Sequence, residues 1–292
     1  MTVDLHIDTP WMFTKHGPFD LAEGAPHSKV SLPKMKEGGL DVAVFALYLP
    51  DYVQDGMGSS SIVARTVAEQ LWGIKNQVPN ALFGIEGARL LESGLKADFF
   101  YLVKNGLKYI TLTHNRNNIY ADSATDRPYH GGLSELGVKL VAEAEKNEII
   151  VDVSHASDRT CEDVLKVATR PVIASHSGCR SIVNHVRNLP DYLIEGIAKT
   201  GGIIGVPFAR NFVGPNMLAI VHHVQHLIKI AGVDYIAIGS DLDGAIMVRG
   251  VEDVSDWKAV SDEMESYGRV HVRDIRKIAG WNATRLLNIA NS

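Results

Sequence analysis

The sequence predicts an α/β fold, a single (β/α)8 barrel of the TIM type that spans residues 1–292. Eight short apolar, β-rich runs alternate with stretches of helical composition. This pattern is typical of parallel β/α architecture, and the count of eight favours a closed barrel. No internal repeat, low-complexity tract or change of composition marks a second domain. An open, doubly wound sheet is the alternative, but it usually has fewer strands, and no glycine-rich phosphate turn follows the first run.

The eight predicted strands are short, and most of them end in a side chain capable of chemistry. They are residues 3–8, 41–49, 81–86, 107–114, 148–155, 170–176, 201–208 and 234–241. Helices are predicted between them, over residues 60–78, 133–147, 158–168, 190–201, 216–231 and 271–279. The segment from Thr14 to Gly39 is rich in Gly, Pro and Lys, and we predict a loop over one end of the barrel.

The first predicted strand, "VDLHIDTP", alternates strictly between apolar and polar residues until Pro10 ends its pairing. Apolar side chains are expected on one face and polar side chains on the other, the two sets being Val3, Leu5 and Ile7, and Asp4, His6 and Asp8. Burying an unpaired polar group costs roughly several kcal/mol. The polar face therefore requires partners from elsewhere in the chain.

The composition excludes several classes of protein. An apolar fraction of 46% and a charged fraction of 22% are ordinary for a globular protein and argue against disorder. A net charge of −5 without a dense Lys/Arg cluster argues against a surface that binds nucleic acid. We expect no signal peptide and no contact with membrane, because no run approaches the ~18 apolar residues of a span. Cys161 and Cys179 are the only cysteines, which excludes a disulfide framework and favours the cytoplasm.

The ends of the predicted strands carry imidazoles and carboxylates, and catalytic residues of such barrels lie at this end. In chain order they are His6, Asp8, Glu86, His114, His155, His176 and Asp241. Imidazoles from separate strands together with carboxylates form the ligand set of zinc or a similar divalent metal. Four imidazoles and three acids exceed the needs of one tetrahedral ion, so the pattern favours two metals that share a bridging carboxylate.

Other candidate residues have weaker support from the sequence. The histidines of "VHHVQH", residues 221–226, have a spacing that zinc accepts, but no glutamate completes a zincin pattern, so an ordinary helix face is favoured. A Cys/His pair is an alternative for the two thiols, although buried or spectator thiols fit better. Asp243 is expected to be a turn or cap residue, with support of a metal ligand as the alternative.

Several longer motifs occur in one order along nearly the whole chain. They are "DLHIDTPW", "GIEGARLL", "LTHNRNNIYADS", "VDVSHAS", "VIASHSGCRSI", "VRNLPD", "GSDLDG" and "DIRKIAGWNATRLL". Together they resemble the renal (membrane) dipeptidase family of zinc-dependent dipeptidases, within the amidohydrolase-like barrels. The resemblance implies hydrolysis of dipeptides that carry a C-terminal carboxylate, L,D-dipeptides included, and a homodimer.

The resemblance also implies the metal ligands. His6 and Asp8 would bind one Zn²⁺, His155 and His176 would bind the other, and Glu86 would bridge the two ions together with a water or hydroxide. Imidazole and carboxylate ligands also accept Co²⁺ or Mn²⁺.

Three further roles follow from the same resemblance. His114 would contact the substrate carbonyl and help to stabilise the tetrahedral intermediate. Asp241 would act as the acid/base and contact the free amine of the substrate. Arg187 would hold the C-terminal carboxylate, whereas the alternative for this residue is a surface arginine paired with Asp191.

The chain departs from the family pattern after the seventh strand. Many relatives have a tyrosine that reaches the substrate where this chain has Ala209, and Arg210 offers a different contact. Two other functions stay open: another amidohydrolase-like reaction on a lactone, cyclic amide or phosphotriester, and an inactive metal-binding barrel. The former often uses H-x-H and a carbamylated lysine, where this chain has H-x-D and a glutamate.

Overall fold

Eight parallel strands form a nearly closed barrel, which confirms the predicted fold class. The structure, a computed structural model, describes residues 1–50, 60–92 and 96–289. The strands are β1 (Val3–Ile7), β2 (Val42–Tyr48), β3 (Leu82–Glu86), β4 (Leu107–Thr111), β5 (Ile150–Asp152), β6 (Val172–Ile173), β7 (Ile204–Val206) and β8 (Ile236–Ile238). They pair in the order β6-β5-β4-β3-β2-β1-β8-β7, and a parallel bridge between Ala174 and Ile204 joins the two ends of the sheet.

Helices follow the strands around the outside of the barrel. They are α1 (Thr9–His16), α2 (Leu32–Glu37), α3 (Ser60–Lys75), α4 (Lys96–Lys104), α5 (Glu135–Lys146), α6 (Asp158–Val167), α7 (Asp191–Lys199), α8 (Arg210–Val213), α9 (Met217–Ile230), α10 (Trp257–Ser266), α11 (Val272–Arg276) and α12 (Asn282–Leu287). The six predicted helices are all present, and the side chain of Ser157, one residue before the predicted start of its helix, caps α6. Within the described ranges, no helix has the length and apolar character needed to cross a membrane.

The segment from Thr14 to Gly39 is only partly the loop that the sequence predicts. It begins in the last turn of α1 and contains α2. Pro10 does end β1, but it also lies in the first turn of α1, where a helix tolerates a missing N–H. The connecting stretch lies against the end of β8, because the Ser28 hydroxyl and the Lys29 N–H both donate to the Asp243 carboxylate.

A β-bulge in β1 overturns the predicted alternation of its side chains. Asp4 pairs with Ala43, whereas Ile7 pairs with Phe45, so β1 carries one extra residue between these positions. Leu5 therefore packs in the small inner cluster of the barrel, and Ile7 packs in the large cluster shared with the helices. The carboxylate of Asp4 accepts hydrogen bonds from Trp257 Nε1 (3.3 Å) and from the N–H groups of Ser240 (2.9 Å) and His6 (3.1 Å), and it belongs to none of the ligand groups that the described residues form around Glu86. Asp4 thus does not share a face with His6.

The layer of side chains inside the barrel, below its mouth, contains the ring of Tyr109, and a glycine on the neighbouring strand leaves the space for it. Gly84 on β3 lies opposite Tyr109 on β4, and any Cβ at position 84 would overlap the Tyr109 ring. Tyr109 is fully buried, and its hydroxyl donates to the carbonyl oxygen of Leu5 (2.9 Å). The absent side chain at Gly84 therefore lets a tyrosine hydroxyl reach the centre of the barrel directly below His6.

Candidate active site

The carboxylate of Glu86, at the end of β3, lies among three imidazoles. Its Oε1 atom is 3.0 Å from His155 Nε2 and 3.5 Å from both His6 Nε2 and His176 Nε2. His155 Nε2 and His176 Nε2 are themselves 3.0 Å apart. All four side chains are buried. Residues from four different strand ends thus converge on one oxygen atom, as the sequence predicts for the mouth of the barrel.

Two further carboxylates extend this cluster on the side of β1 and β8. Asp8 Oδ2 lies 3.5 Å from His6 Nε2, and carboxylate oxygens of Asp8 and Asp241 lie within 4.8 Å of one another. Burial and the charge of Asp8 raise the pKa of Asp241 well above its usual range, and burial and the charge of Glu86 raise the pKa of Asp8. Gly244 makes this pair possible, because a Cβ there would collide with both carboxylates.

The ligand atoms form three overlapping groups in which every pair of atoms lies within 4.8 Å. They are His6, Glu86 and His176; Glu86, His114 and His155; and His6, Asp8 and Asp241. The family resemblance assigns His6 and His176 to different metal ions, but the first group contains both residues. Their ring centroids are 3.8 Å apart. Glu86 and His6 are each common to two of the groups, and of the two only Glu86 has a second ligand oxygen with which to bridge two ions.

Hydroxyl groups orient two of the imidazoles. The Tyr109 hydroxyl gives its hydrogen to Leu5, so its oxygen accepts from His6 Nδ1, 2.8 Å away. The Ser175 hydroxyl donates to Asp152 (2.6 Å), so its oxygen accepts from His176 Nδ1 (2.8 Å). With hydrogen on Nδ1, the His176 ring presents the lone pair of Nε2 to Glu86, which is the tautomer that a metal requires. Against the effect of burial, Tyr109, Asp8 and Glu86 raise the pKa of His6 well above its usual range, so a metal at His6 Nε2 would take the place of a proton.

Asp152 connects the strands beneath the site, and sequence reasoning assigned it no role. Its carboxylate accepts from the hydroxyls of Thr111 (2.6 Å) and Ser175 (2.6 Å) and from the N–H groups of Ser154 (3.0 Å) and Ser175 (2.8 Å). These bonds join β4, β5 and the residues after β6. The position of Asp152 three residues before His155, within "VDVSH", is the only sequence signal that points to it.

The chemistry of the donor set fits divalent cations. Burial and Arg187 lower the pKa of His155 well below its usual range, and burial and His6 do the same for His176, so both rings are neutral at pH 7. His6 Nε2 is buried without a hydrogen-bond partner among the residues that the structure describes. Three buried carboxyl groups, those of Asp8, Glu86 and Asp241, lie at the same site, and bound cations would stabilise their ionised forms.

Arg187 is buried behind this cluster and is not a surface residue. Its Nη2 atom lies 3.4 Å from the carbonyl oxygen of His176, and its Nε atom has no hydrogen-bond partner in the described part of the chain. Burial lowers the pKa of Arg187 to about 10, so the side chain remains cationic at pH 7. Asp191 instead accepts from Ser181 and His226, which excludes the predicted alternative of an Arg187–Asp191 pair.

A cavity of about 480 Å³ opens onto the cluster. Its lining comprises polar residues of the cluster and aromatic or small residues: Asp8, Trp11, Tyr48, Pro50, Glu86, His114, Asn115, His155, Phe212, Asp241, Gly244 and Ala245. His114 lies between Tyr48 and His155, with ring centroids 4.6 Å from each. This volume suits a ligand of a few residues or smaller.

The weaker candidates from the sequence, which are a histidine of residues 221–226, the two cysteines and Asp243, make contacts that stabilise the fold. His223 accepts from the Cys179 N–H (2.8 Å), and its other nitrogen lies 3.2 Å from the carbonyl oxygen of Val213, in agreement with the ordinary helix face favoured by the sequence. Cys161 and Cys179 are buried, and burial raises the pKa of both thiols. Asp243 accepts from the hydroxyl of Thr9 (2.7 Å) and holds the residue 14–39 segment, so it acts as a turn residue.

A buried group of imidazoles and carboxylates at the mouth of a (β/α)8 barrel defines a barrel protein with a candidate metal centre. The chain belongs to the membrane dipeptidase family, peptidase family M19, whose model matches residues 62–292. The family resemblance deduced from the motifs is thereby confirmed.

Two fungal proteins illustrate the sequence relationship. Dipeptidase verJ of Clonostachys rogersoniana is 34% identical over 233 residues, which cover 77% of this chain. Dipeptidase tcpJ of Claviceps purpurea is 37% identical over 215 residues, which cover 71% of this chain. The matched regions span 59% and 50% of these two relatives.

A solved structure has the same fold. It is a metallo peptidase from Rhodobacter sphaeroides liganded with a phosphinate mimic of the dipeptide L-Ala-D-Ala, and it superposes with a TM-score of 0.86. The two proteins are 22% identical, and the alignment covers 98% of each chain. At this identity the likeness establishes the barrel fold alone.

Tyr109→Phe should weaken binding of Zn²⁺ by about 10- to 100-fold, because His6 loses the group that sets its tautomer. Competition with a chromophoric chelator measures the dissociation constant. Tyr120→Phe is the matched control, since the Tyr120 hydroxyl lies outside the cluster and donates to the carbonyl oxygen of Leu91. Equal affinities in the two variants would contradict the role given to the Tyr109 hydroxyl.

Proposed function

We propose that the protein is a metal-dependent dipeptidase that hydrolyses the peptide bond of dipeptides with a free C-terminal carboxylate. The observation that carries the proposal is a buried, cationic Arg187 next to a candidate metal centre around Glu86. The centre suits attack on an amide carbonyl, and the guanidinium suits recognition of a carboxylate at a fixed distance from it. Membership of the family and the dipeptidase names of its relatives support this substrate class.

The donor set supports two divalent ions, for which we propose zinc. His6, Asp8 and Glu86 would hold one ion, and Glu86, His155 and His176 would hold the other. Co²⁺ or Mn²⁺ would be accepted by the same ligands. When bound, such a pair of ions supplies an acidified water and polarises the scissile carbonyl.

The chain's own residues would complete the reaction. Asp241, next to Asp8 at the wall of the cavity, would accept a proton from the attacking water and deliver it to the departing amine. His114, which also lines the cavity, would donate to the carbonyl oxygen as negative charge develops there. Arg187 would hold the C-terminal carboxylate, and thereby the scissile bond, in register with these groups.

The proposal includes two statements about substrate and setting. L,D-dipeptides belong to the proposed substrate range, and the ligand of the Rhodobacter structure, a mimic of L-Ala-D-Ala, supports testing them. We place the protein in the cytoplasm as a homodimer, the first on the basis of its buried thiols and the second on family resemblance alone.

A kinetic panel on the zinc-loaded protein tests the function directly. Hydrolysis of L-Ala-L-Ala and L-Ala-D-Ala is expected, with much lower kcat/KM for tri-alanine and for the dipeptide amide. A chelator should abolish the activity, and added Zn²⁺ should restore it. Cleavage of a lactone or a phosphotriester without cleavage of any dipeptide would favour another barrel hydrolase.

Asp241→Asn should reduce kcat by about 10²- to 10⁴-fold, because an amide cannot accept the proton of water. Metal analysis should still find the ions of the parent protein, since none of the proposed ligands changes. Asp262→Asn, on the exposed face of α10, is the matched control. A kcat within a few-fold of the parent would assign the proton transfer to a different residue.

Arg187→Met should lower kcat/KM for dipeptide acids at least tenfold, because loss of a buried charge partner costs about 2–5 kcal/mol. The ratio of kcat/KM for the acid to that for the amide should fall towards one. Arg159→Met, which removes an exposed arginine of α6, should leave both values unchanged. If Arg187→Met cleaves dipeptide acids as well as the parent does, this arginine does not bind the substrate carboxylate.

A further inference from the structure

Arg187 has few contacts to fix its guanidinium. The bond from Nη2 to the His176 carbonyl oxygen is long, at 3.4 Å, and Nε has no hydrogen-bond partner within residues 1–50, 60–92 and 96–289. No ion pair within 4.0 Å forms between Arg187 and a carboxylate in the same ranges. A flexible side chain with so few bonds requires another constraint if it is to receive a ligand in one orientation.

The ring of Phe212 provides that constraint. The Cζ atom of Arg187 lies over this ring, 5.1 Å from its centroid. Phe212 is part of the cavity wall, and Arg187 beside it is almost wholly buried. A cation over an aromatic face is attracted more strongly when it is withdrawn from water, and Arg187 is buried.

Hydrogen bonds from the side chain of Asn188 to backbone groups hold Arg187 and Phe212 next to one another. Asn188, the residue after Arg187, donates from Nδ2 to the carbonyl oxygens of Phe212 (2.7 Å) and Val183 (2.9 Å). Its Oδ1 atom accepts from the Gly178 N–H (3.1 Å), and Asn188 is itself buried. One side chain therefore joins the loop after β6 to the short helix α8 after β7, and it holds Phe212 and Arg187 at a fixed separation.

We propose that Phe212 is a positioning residue for Arg187, which it holds in the orientation that receives the carboxylate of the substrate. This inference rests on the proposed dipeptidase function. Phe212 would not touch the reacting atoms, and its effect would appear only for ligands that bear the carboxylate. It would also keep water from the guanidinium, which strengthens the pairing of the two charges.

The test compares Phe212→Leu with Phe212→Tyr in the zinc-loaded protein. Phe212→Leu keeps an apolar side chain but has no aromatic face, so KM for L-Ala-L-Ala should rise about five- to thirtyfold with kcat changed less than threefold. Hydrolysis of the corresponding amide should change less than twofold. Phe212→Tyr should restore the parent KM to within threefold, and Phe100→Leu, an exposed aromatic of α4, should match the parent.

The double variant Arg187→Met/Phe212→Leu separates positioning from packing. Without the guanidinium, Phe212→Leu should add less than a twofold change. Equal losses for acid and amide, or a Phe212→Tyr variant no better than Phe212→Leu, would overturn the inference. Metal content and the urea midpoint of each variant confirm that the barrel is intact.

A binding measurement keeps this inference distinct from the proposed function. If the parent protein cleaves no dipeptide, the proposed dipeptidase function is wrong. Calorimetric binding of alanine and of alaninamide then still tests the role of Phe212. The inference predicts that the parent and Phe212→Tyr bind alanine more tightly than the amide and that Phe212→Leu loses this preference. Retention of the preference in Phe212→Leu, or its absence in the parent, would overturn the inference.

Discussion

The approach of three imidazole nitrogens to one carboxylate oxygen is the constraint on which the mouth of this barrel depends. His6, His155 and His176 all lie within 3.5 Å of Glu86 Oε1, and the last two nitrogens are 3.0 Å from one another. Burying imidazoles and carboxylates together is costly unless something satisfies their lone pairs and charges. Divalent cations do both at once, which is why we propose them as the missing partners of this group.

The surrounding structure serves to keep these groups in one orientation. The Tyr109 hydroxyl and the Ser175 hydroxyl each accept from the far nitrogen of one imidazole and pass their own hydrogen to a fixed acceptor. Space for Tyr109 depends on the missing side chain of Gly84. Asp152 ties the strands together below the site. The barrel thus prepares its candidate metal centre through contacts that lie one layer beneath it.

The sequence predicts the barrel and most of the candidate site because both depend on local patterns. Apolar runs mark the strands, and parallel topology brings the residues after each run to one mouth. The bulge in β1 has no such signal in the sequence. The extra residue becomes apparent only when β1 is paired with β2, and it changes which side chains of β1 point into the barrel. The hydroxyl partners are equally hidden, because the bond between His6 and Tyr109 joins residues 103 positions apart. The contact between Arg187 and Phe212 is hidden in the same way, because Phe212 lies in the short helix α8 that follows a different strand.

Anomalous diffraction from crystals of the zinc-loaded protein, recorded on both sides of the zinc absorption edge, tests the central claim most directly. The account predicts two zinc peaks per chain, one on each side of the Glu86 carboxylate and separated by about 3.5–4 Å. A single peak that Glu86 does not contact, or zinc bound only at surface histidines, would contradict it.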